Sequence, residues 1–270
     1  LMALEKILRN LCPACVVVYG DTNSTLAGAL AAAQLGIPVV HVEAGLRSGL
    51  QTQPEEINRV TTDHLSEVLF CPTRVAVGNL RKEGIVRGVF HVGDVMYDSA
   101  RFAKSSATNS EMLERFDLHP NKYSLATVHR PENTDNGKQL ASIFKYLKAK
   151  AKEGEIFMPL HPRTREAIER FGLDVGAIKT CNPVSYFEMA ALISHAAAVL
   201  TDSGGIQKEA YFHRVPCITL RNQTEWTELI EAGWNRLWTK PEYKPRKTIS
   251  DYGSGNASKK IVEKLREIYA

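Results

Sequence analysis

The chain has no long apolar run. No segment of its 270 residues approaches the roughly 20 uninterrupted apolar residues that a membrane span needs, so a membrane is not an expected partner. The opening stretch, Leu1 to Leu11, has apolar residues at Leu1, Leu4, Ile7, Leu8 and Leu11, an amphipathic helix pattern rather than a signal peptide. An excess of one charge is also lacking. Lys and Arg number 34 against 30 Asp and Glu, a net +4. That is too weak and too dispersed for nucleic acid, yet compatible with an anionic small molecule. Cysteine is scarce and odd in number, at five, which excludes a fully paired disulfide framework. No second cysteine pair or histidine cluster completes a zinc site, so no metal is expected. Cys15, Cys71 and Cys217 adjoin apolar runs and read as buried free thiols of a reducing, cytoplasmic protein. Cys12-Pro13-Ala14-Cys15 has redox-motif spacing but leads into a strand instead of opening a helix. Internal repeats and low-complexity stretches are absent too.

What is present is 44% apolar content, enough for one large domain or two medium ones, in an alternating order. Val16-Val17-Val18-Tyr19 is a continuous β-type run, as expected of a parallel strand buried on both faces. A helix over Ser24–Leu35, the turn Gly36-Ile37-Pro38 and a second strand over Val39–Val42 follow. A polar loop over 43–55, a helix over Glu56–Leu65 and strands at Val68–Phe70 and Val89–Val92 continue the series. Residues 96–122 are more polar and read as a connector. The alternation then restarts with strands at Tyr123–Val128, Ile156–Leu160, Ile178–Thr180, Ala198–Thr201 and Pro216–Leu220, and helices over Gly137–Lys152, Ser185–His195 and Ser258–Tyr269. This is the β-α-β signature of doubly wound parallel sheets. The expected fold is α/β: two Rossmann-like units, residues 1–100 and 101–250, with a terminal helix over 251–270 packing back toward the first. Such sheets bind ligands at the carboxyl ends of their strands.

Polar residues cluster at those ends: Gly20-Asp21-Thr22, His41-Val42-Glu43-Ala44-Gly45-Leu46-Arg47, Pro54-Glu55-Glu56-Ile57-Asn58-Arg59, His129-Arg130-Pro131-Glu132-Asn133 and His161-Pro162-Arg163. A carboxylate or imidazole directly after an apolar strand is poor core material, and five such groups favour a shared cleft. The most informative run is Thr201-Asp202-Ser203-Gly204-Gly205-Ile206-Gln207-Lys208-Glu209. A strand, a short glycine turn and a helix aim free N–H groups and the positive helix end at an anion. Gly204 and Gly205 let a phosphate approach, Ser203 can cap the helix or donate its hydroxyl, and Glu209 reaches a hydroxyl-bearing group such as ribose. Taken alone, the run fits an ordinary helix cap; its company favours a ligand site.

Together these motifs, in order and spacing, resemble the non-hydrolysing UDP-N-acetylglucosamine 2-epimerases, from near Leu1 to the final helix. The resemblance implies the two-domain glycosyltransferase-B architecture, a homodimer, and C2 inversion of a UDP-sugar without a redox cofactor. UDP leaves as the C2 proton is removed, a 2-acetamidoglucal forms, and re-addition gives the manno epimer. Asp21, Glu43 and Glu55 match the family's acidic catalytic positions, and His129 its essential histidine. Ser203, Gly204 and Gly205 match the diphosphate-contacting turn, Glu209 the ribose-binding carboxylate, and Arg59 an arginine near the substrate. Tyr186 and Phe187 lie where a uracil contact is expected. Asp21 and Glu55 are assigned to proton transfer, Glu43 to tuning or orienting, and His129 to the leaving diphosphate.

Two departures bear on these expectations. The strand and Gly-Thr-Arg-Pro-Glu-like loop that open a usual member have no counterpart ahead of Leu1, so the chain reads as a fragment with a truncated first domain. Arg221-Asn222-Gln223-Thr224-Glu225-Trp226 stands where many members have Thr-Glu-Arg-Pro-Glu. The Trp form looks like a subgroup that includes enzymes acting on UDP-2,3-diacetamido-glucuronate. Trp226, Trp234 and Trp238 themselves read as packing aromatics. A glycosyltransferase of the same architecture, a hydrolysing 2-epimerase and a non-catalytic UDP-sugar-binding protein are the rival readings.

Overall fold

The computed structural model describes residues 1–49, 53–104 and 109–270. Residues 50–52 of the expected 43–55 loop and 105–108 of the expected connector lie outside the described residues. Contacts divide the chain into Leu1–Asp98 with Ser250–Ala270, and Ser99–Ile249.

The first unit runs α1 (Met2–Leu11), β1 (Val16–Tyr19), α2 (Asn23–Gln34), β2 (Val39–Val42), α3 (Pro54–Leu65), β3 (Val68–Cys71), α4 (Arg74–Lys82) and β4 (Val89–His91). The four strands form a parallel sheet in sequence order, with Val17 opposite Val40, Val40 opposite Val68 and Phe70 opposite Phe90. Every residue of β2 and β3 is buried, because helices cover both faces of such a sheet and demand apolar side chains on each. The amphipathic α1 buries no residue fully. Leu8 packs on the Val18, Ala29 and Val39 cluster, while Leu1, Met2, Ile7 and Leu11 are exposed.

After α5 (Val95–Lys104), the second unit runs α6 (Asn109–Arg115), β5 (Tyr123–Thr127), α7 (Pro131–Thr134), α8 (Gly137–Ala151), β6 (Glu155–Pro159), α9 (Pro162–Phe171), β7 (Lys179–Cys181), α10 (Tyr186–His195), β8 (Ala198–Thr201), α11 (Gly204–Phe212), β9 (Cys217–Thr219), α12 (Thr227–Glu231) and β10 (Asn235–Leu237). The sheet order is β10-β9-β8-β5-β6-β7, all parallel. The chain builds outward from β5 on one side, then returns to build outward from β8 on the other. The topological switch point therefore lies between β5 and β8, and there the helices leave opposite faces and open a crevice at the strand ends. Two residue clusters cover the two sides of this sheet. One is centred on Leu125, Phe157 and Val199, the other on Ala126, Met158 and Leu200. The alternation of neighbouring residues between the clusters is the period of two expected of strands.

The terminal helix α13 (Ala257–Tyr269) belongs to the first unit, where Ile261, Leu265 and Tyr269 pack with Val40, Val68 and Phe70. Two features were not legible as elements. Residues 96–122, expected as a connector, hold all but the first residue of α5 and the whole of α6. The strand β10 is only three residues with an Asn and an Arg among them, and it exists by pairing with Cys217–Thr219 rather than by its own propensity.

Candidate active site

In the first unit the polar residues collect at the carboxyl ends of β1 and β2. Gly20 turns the chain after β1 at φ 65°, and Thr22 caps α2 by accepting the Thr25 amide. Asp21 sits in this turn, and its carboxylate takes a hydrogen bond from Arg59 Nη2 on α3. Arg59 Nη1 donates to Glu56 Oε2 at 2.5 Å, so one buried guanidinium joins two carboxylates. Burial would lower the Arg59 pKa, but Asp21 and Glu56 outweigh it and keep the guanidinium charged. Asn58 Nδ2 donates to the Asp21 carbonyl and to Asn23 Oδ1, each at 2.9 Å. Glu56 also receives the Ser48 amide at 3.0 Å and the Gly49 amide at 3.2 Å. Burial pushes the Glu56 carboxyl up, yet Ser48 and Arg59 together hold it below the usual carboxylate range.

Glu43 follows β2 with φ 73°, a left-handed conformation that costs a non-glycine residue about 1–2 kcal/mol. It is held there because the amides of Glu43 and Ala44 both donate to the Phe70 carbonyl at 3.1 Å. Backbone strain of this kind concentrates at functional sites. Gly45, two residues on, has φ 79°, and a Cβ there would lie 2.5 Å from the Ala76 carbonyl oxygen, so only glycine fits. Glu55 lies exposed in the first turn of α3.

The second unit places its polar residues at the β5–β8 switch point. Asp202, fully buried after β8, accepts the His129 amide at 3.1 Å, the Arg130 amide at 3.0 Å and Asn133 Nδ2 at 2.9 Å. This carboxylate shapes the loop after β5 instead of facing a ligand. His129 is half-buried, and its ring lies 5.4 Å from that of His161. Burial lowers the His129 pKa; Asp202 opposes that, while His161, Arg130 and Arg163 add to it. The result is an imidazole that is neutral at neutral pH.

Ser203 caps α11, its hydroxyl accepting the Ile206 amide at 3.4 Å. The first-turn N–H groups of Gly204 and Gly205 have no partners within the helix. A Cβ on Gly204 would lie 2.5 Å from Glu225 Oε1 and 3.2 Å from Trp226 Nε1, so the turn is close-packed from one side. Arg221 bridges Glu225 at 2.7 Å. Burial raises the Glu225 carboxyl, but Arg221 and Arg130 hold it below its usual value. One helical turn on, burial pushes the Glu209 carboxyl up to about 7, against a hydrogen bond from the Tyr186 hydroxyl and the charge of Lys208. Exposed Phe187 lies edge-on to Tyr186 at 5.7 Å and to Phe102 at 6.1 Å, which makes an aromatic group beside that carboxyl.

Within the first unit, then, Asp21 and Arg59 are joined directly, and Glu43 and Glu55 stand on flanking elements. Within the second, Ser203, Gly204, Gly205 and Glu209 share α11, and His129 stands across the switch point. Glu56 and Asn58 were noted only as members of the 54–59 run, with no role of their own, and Asp63 escaped the sequence reading. Their spacing with Arg59 (Glu56, Arg59, Asp63) places them on one helix face, the signal that could have found them. Trp226 and Trp234 are buried and Trp238 packs edge-on to Tyr146 at 5.7 Å, so all three are packing aromatics.

A family model described as UDP-N-acetylglucosamine 2-epimerase matches residues 1–266. The chain belongs to the UDP-N-acetylglucosamine 2-epimerase family. It is therefore of the isomerase class. It is 47% identical to a UDP-N-acetylglucosamine 2-epimerase homolog of Methanococcus maripaludis, over 99% of this chain and 80% of that protein. It is 46% identical to the UDP-2,3-diacetamido-2,3-dideoxy-D-glucuronate 2-epimerase of Pseudomonas aeruginosa, over 99% of this chain and 79% of that protein. Among solved structures, the Methanocaldococcus jannaschii UDP-GlcNAc 2-epimerase in complex with UDP-GlcNAc and UDP superposes with a TM-score of 0.86. The two are 38% identical, over 98% of this chain and 79% of that one. The two Rossmann-like units are thus the epimerase fold. Among the described residues no helix is long and apolar enough to cross a membrane.

Proposed function

We propose that the protein inverts C2 of UDP-N-acetylglucosamine, giving UDP-N-acetylmannosamine by elimination and re-addition of UDP. The observation that carries the reading is the helix N-terminus at the β5–β8 switch point, with Ser203, Gly204 and Gly205 at its start and Glu209 one turn along. The amides of Gly204 and Gly205 take the diphosphate, Glu209 the ribose hydroxyls, and Phe187 the uracil ring. Neutral His129 donates an N–H hydrogen bond to the diphosphate, and that bond strengthens as negative charge develops on the leaving oxygen.

The carboxylates of the first unit act on the sugar. A base removes the C2 proton, the C1–O bond breaks, and UDP departs from a 2-acetamidoglucal. An acid then delivers a proton to the opposite face of C2 while UDP re-adds at C1. Asp21 and Glu55 carry these proton transfers, and Glu43 orients. Arg59 serves as the clamp on Asp21, a different role from direct contact with the sugar.

The 46% identity to the diacetamido-glucuronate enzyme and the Trp at position 226 favour that uronate as the second substrate to try. The test is proton NMR of each UDP-sugar incubated with the protein in D₂O. Deuterium at C2 with accumulation of the manno epimer is the expected result. UDP binding with no exchange for either sugar refutes the epimerase reading and leaves a nucleotide-binding protein.

A further inference from the structure

The first unit contains a buried polar pair that the proposed chemistry leaves unused. His41 on β2 and Asp63 on α3 are both essentially inaccessible, at 0% and 1% exposure. Nδ1 of His41 lies 2.6 Å from Asp63 Oδ1, and Nε2 lies 2.8 Å from the carbonyl oxygen of Gly20. The other Asp63 oxygen, Oδ2, takes the Gly45 amide at 3.1 Å and Arg47 Nη1 at 2.7 Å.

We propose that Asp63 and His41 are positioning residues for the Asp21 and Glu43 carboxylates, with His41 carrying a hydrogen on both ring nitrogens. A carbonyl oxygen only accepts, so Nε2 must donate to Gly20. Asp63 already accepts a backbone amide and a guanidinium, the surroundings of an ionised carboxylate, so Nδ1 must donate as well. Arg47 also binds the exposed Glu83, through Nε at 2.6 Å and Nη2 at 2.7 Å, and Glu83 in turn faces His64 at 3.3 Å, so the Asp63 carboxylate shares its guanidinium. The field of Asp63 also reaches the Cys71 thiol, which burial and that carboxylate push up to about 12.

The pair reaches the candidate acids through the backbone. Gly20 immediately precedes Asp21, so the Nε2 bond fixes the turn from which Asp21 projects. Gly45 and Arg47 follow the left-handed Glu43, so Asp63 fixes the far side of that residue. Asp63 also lies one helical turn beyond Arg59, the clamp on the Asp21 carboxylate. One buried carboxylate thereby ties the Asp21 turn, the Glu43 loop and α3 to a single origin. A displacement of about 1 Å between reacting groups is enough to cost about 10²-fold in rate.

The inference rests on the reading that these acids move the C2 proton, and the experiment separates the two. In protein with ¹⁵N-labelled histidine, ring correlation spectra are expected to show both His41 nitrogens protonated, assigned by their loss in H41Q. One bare, pyridine-like ring nitrogen overturns the assignment, whatever the enzyme's activity. Kinetics then test positioning. Asn can replace the donor to Asp63, and Gln the donor to Gly20, but neither supplies both. H41N and H41Q are each expected to lower kcat by about 10²-fold per UDP-binding site counted by calorimetry, with KM and UDP affinity nearly unchanged. A merely structural role would reduce the number of folded sites but leave kcat per site alone, and that result overturns the proposal. Absence of C2 exchange in the unaltered protein refutes the parent reading, and the ring spectrum still upholds or overturns His41's state.

Discussion

Replacing Glu209 with Gln separates two consequences of burying one carboxyl. In the folded protein that carboxyl titrates at about 7 rather than its ordinary 4.5, chiefly because burial disfavours the ion. A raised acid pKa means that the folded state holds its proton more tightly than the unfolded chain. Below 4.5 both states are protonated and the group has no effect on stability. Between 4.5 and 7 the unfolded chain ionises while the folded one resists, and stability falls as pH rises. Above 7 the full cost is reached. At about 1.4 kcal/mol per pKa unit, it amounts to about 3 kcal/mol. E209Q carries no such charge, so relative to the parent it should gain stability progressively from pH 5 to pH 8. Urea unfolding of both proteins at several pH values measures this directly. For UDP the same substitution should weaken binding, because the carboxylate's paired acceptors for the ribose hydroxyls are lost. A stability difference between E209Q and parent that is constant from pH 5 to pH 8 would refute the reasoning, since it would mean that the carboxyl is not held neutral by its surroundings.

Three further outcomes are expected. D202N puts an amide where three N–H donors converge; it should cost about 1–3 kcal/mol in urea unfolding. It should also lower the His129 pKa further, read by histidine NMR, because the one charge that raises it is gone. G204A forces a methyl against Glu225 and Trp226, an overpacking worth about 1–3 kcal/mol. UDP affinity measured by calorimetry should fall with it, whereas unchanged affinity would remove the turn from the nucleotide site. Thiol labelling of the native protein should modify exposed Cys12 first, and reach Cys71 and Cys217, both fully buried, only on unfolding.

The alternation of apolar runs with helix-sized segments was enough to fix the fold class, because a strand buried on both faces must be apolar throughout and a crossover helix must follow it. The glycine turn at Ser203 was equally legible, since a strand, a glycine pair and a helix in that order bring the free amides of a helix start to a strand end with no Cβ in the way. Sheet order was not legible. Nothing local in Ala198–Thr201 says that it pairs with Tyr123–Thr127, so the switch point was known only once the strands were placed. Nor did the sequence distinguish carboxylates that face a ligand from those that hold the frame. Asp202, Glu56 and Asp63 look like Asp21 and Glu55 on paper. Their roles are set by the amides and guanidinium groups that tertiary packing brings to them. His41 makes the same point most sharply. Its place in an apolar strand was evident from the chain, but its two partners lie 21 and 22 residues away. Only the packing of α3 against the strand ends could decide that it would carry two hydrogens rather than one.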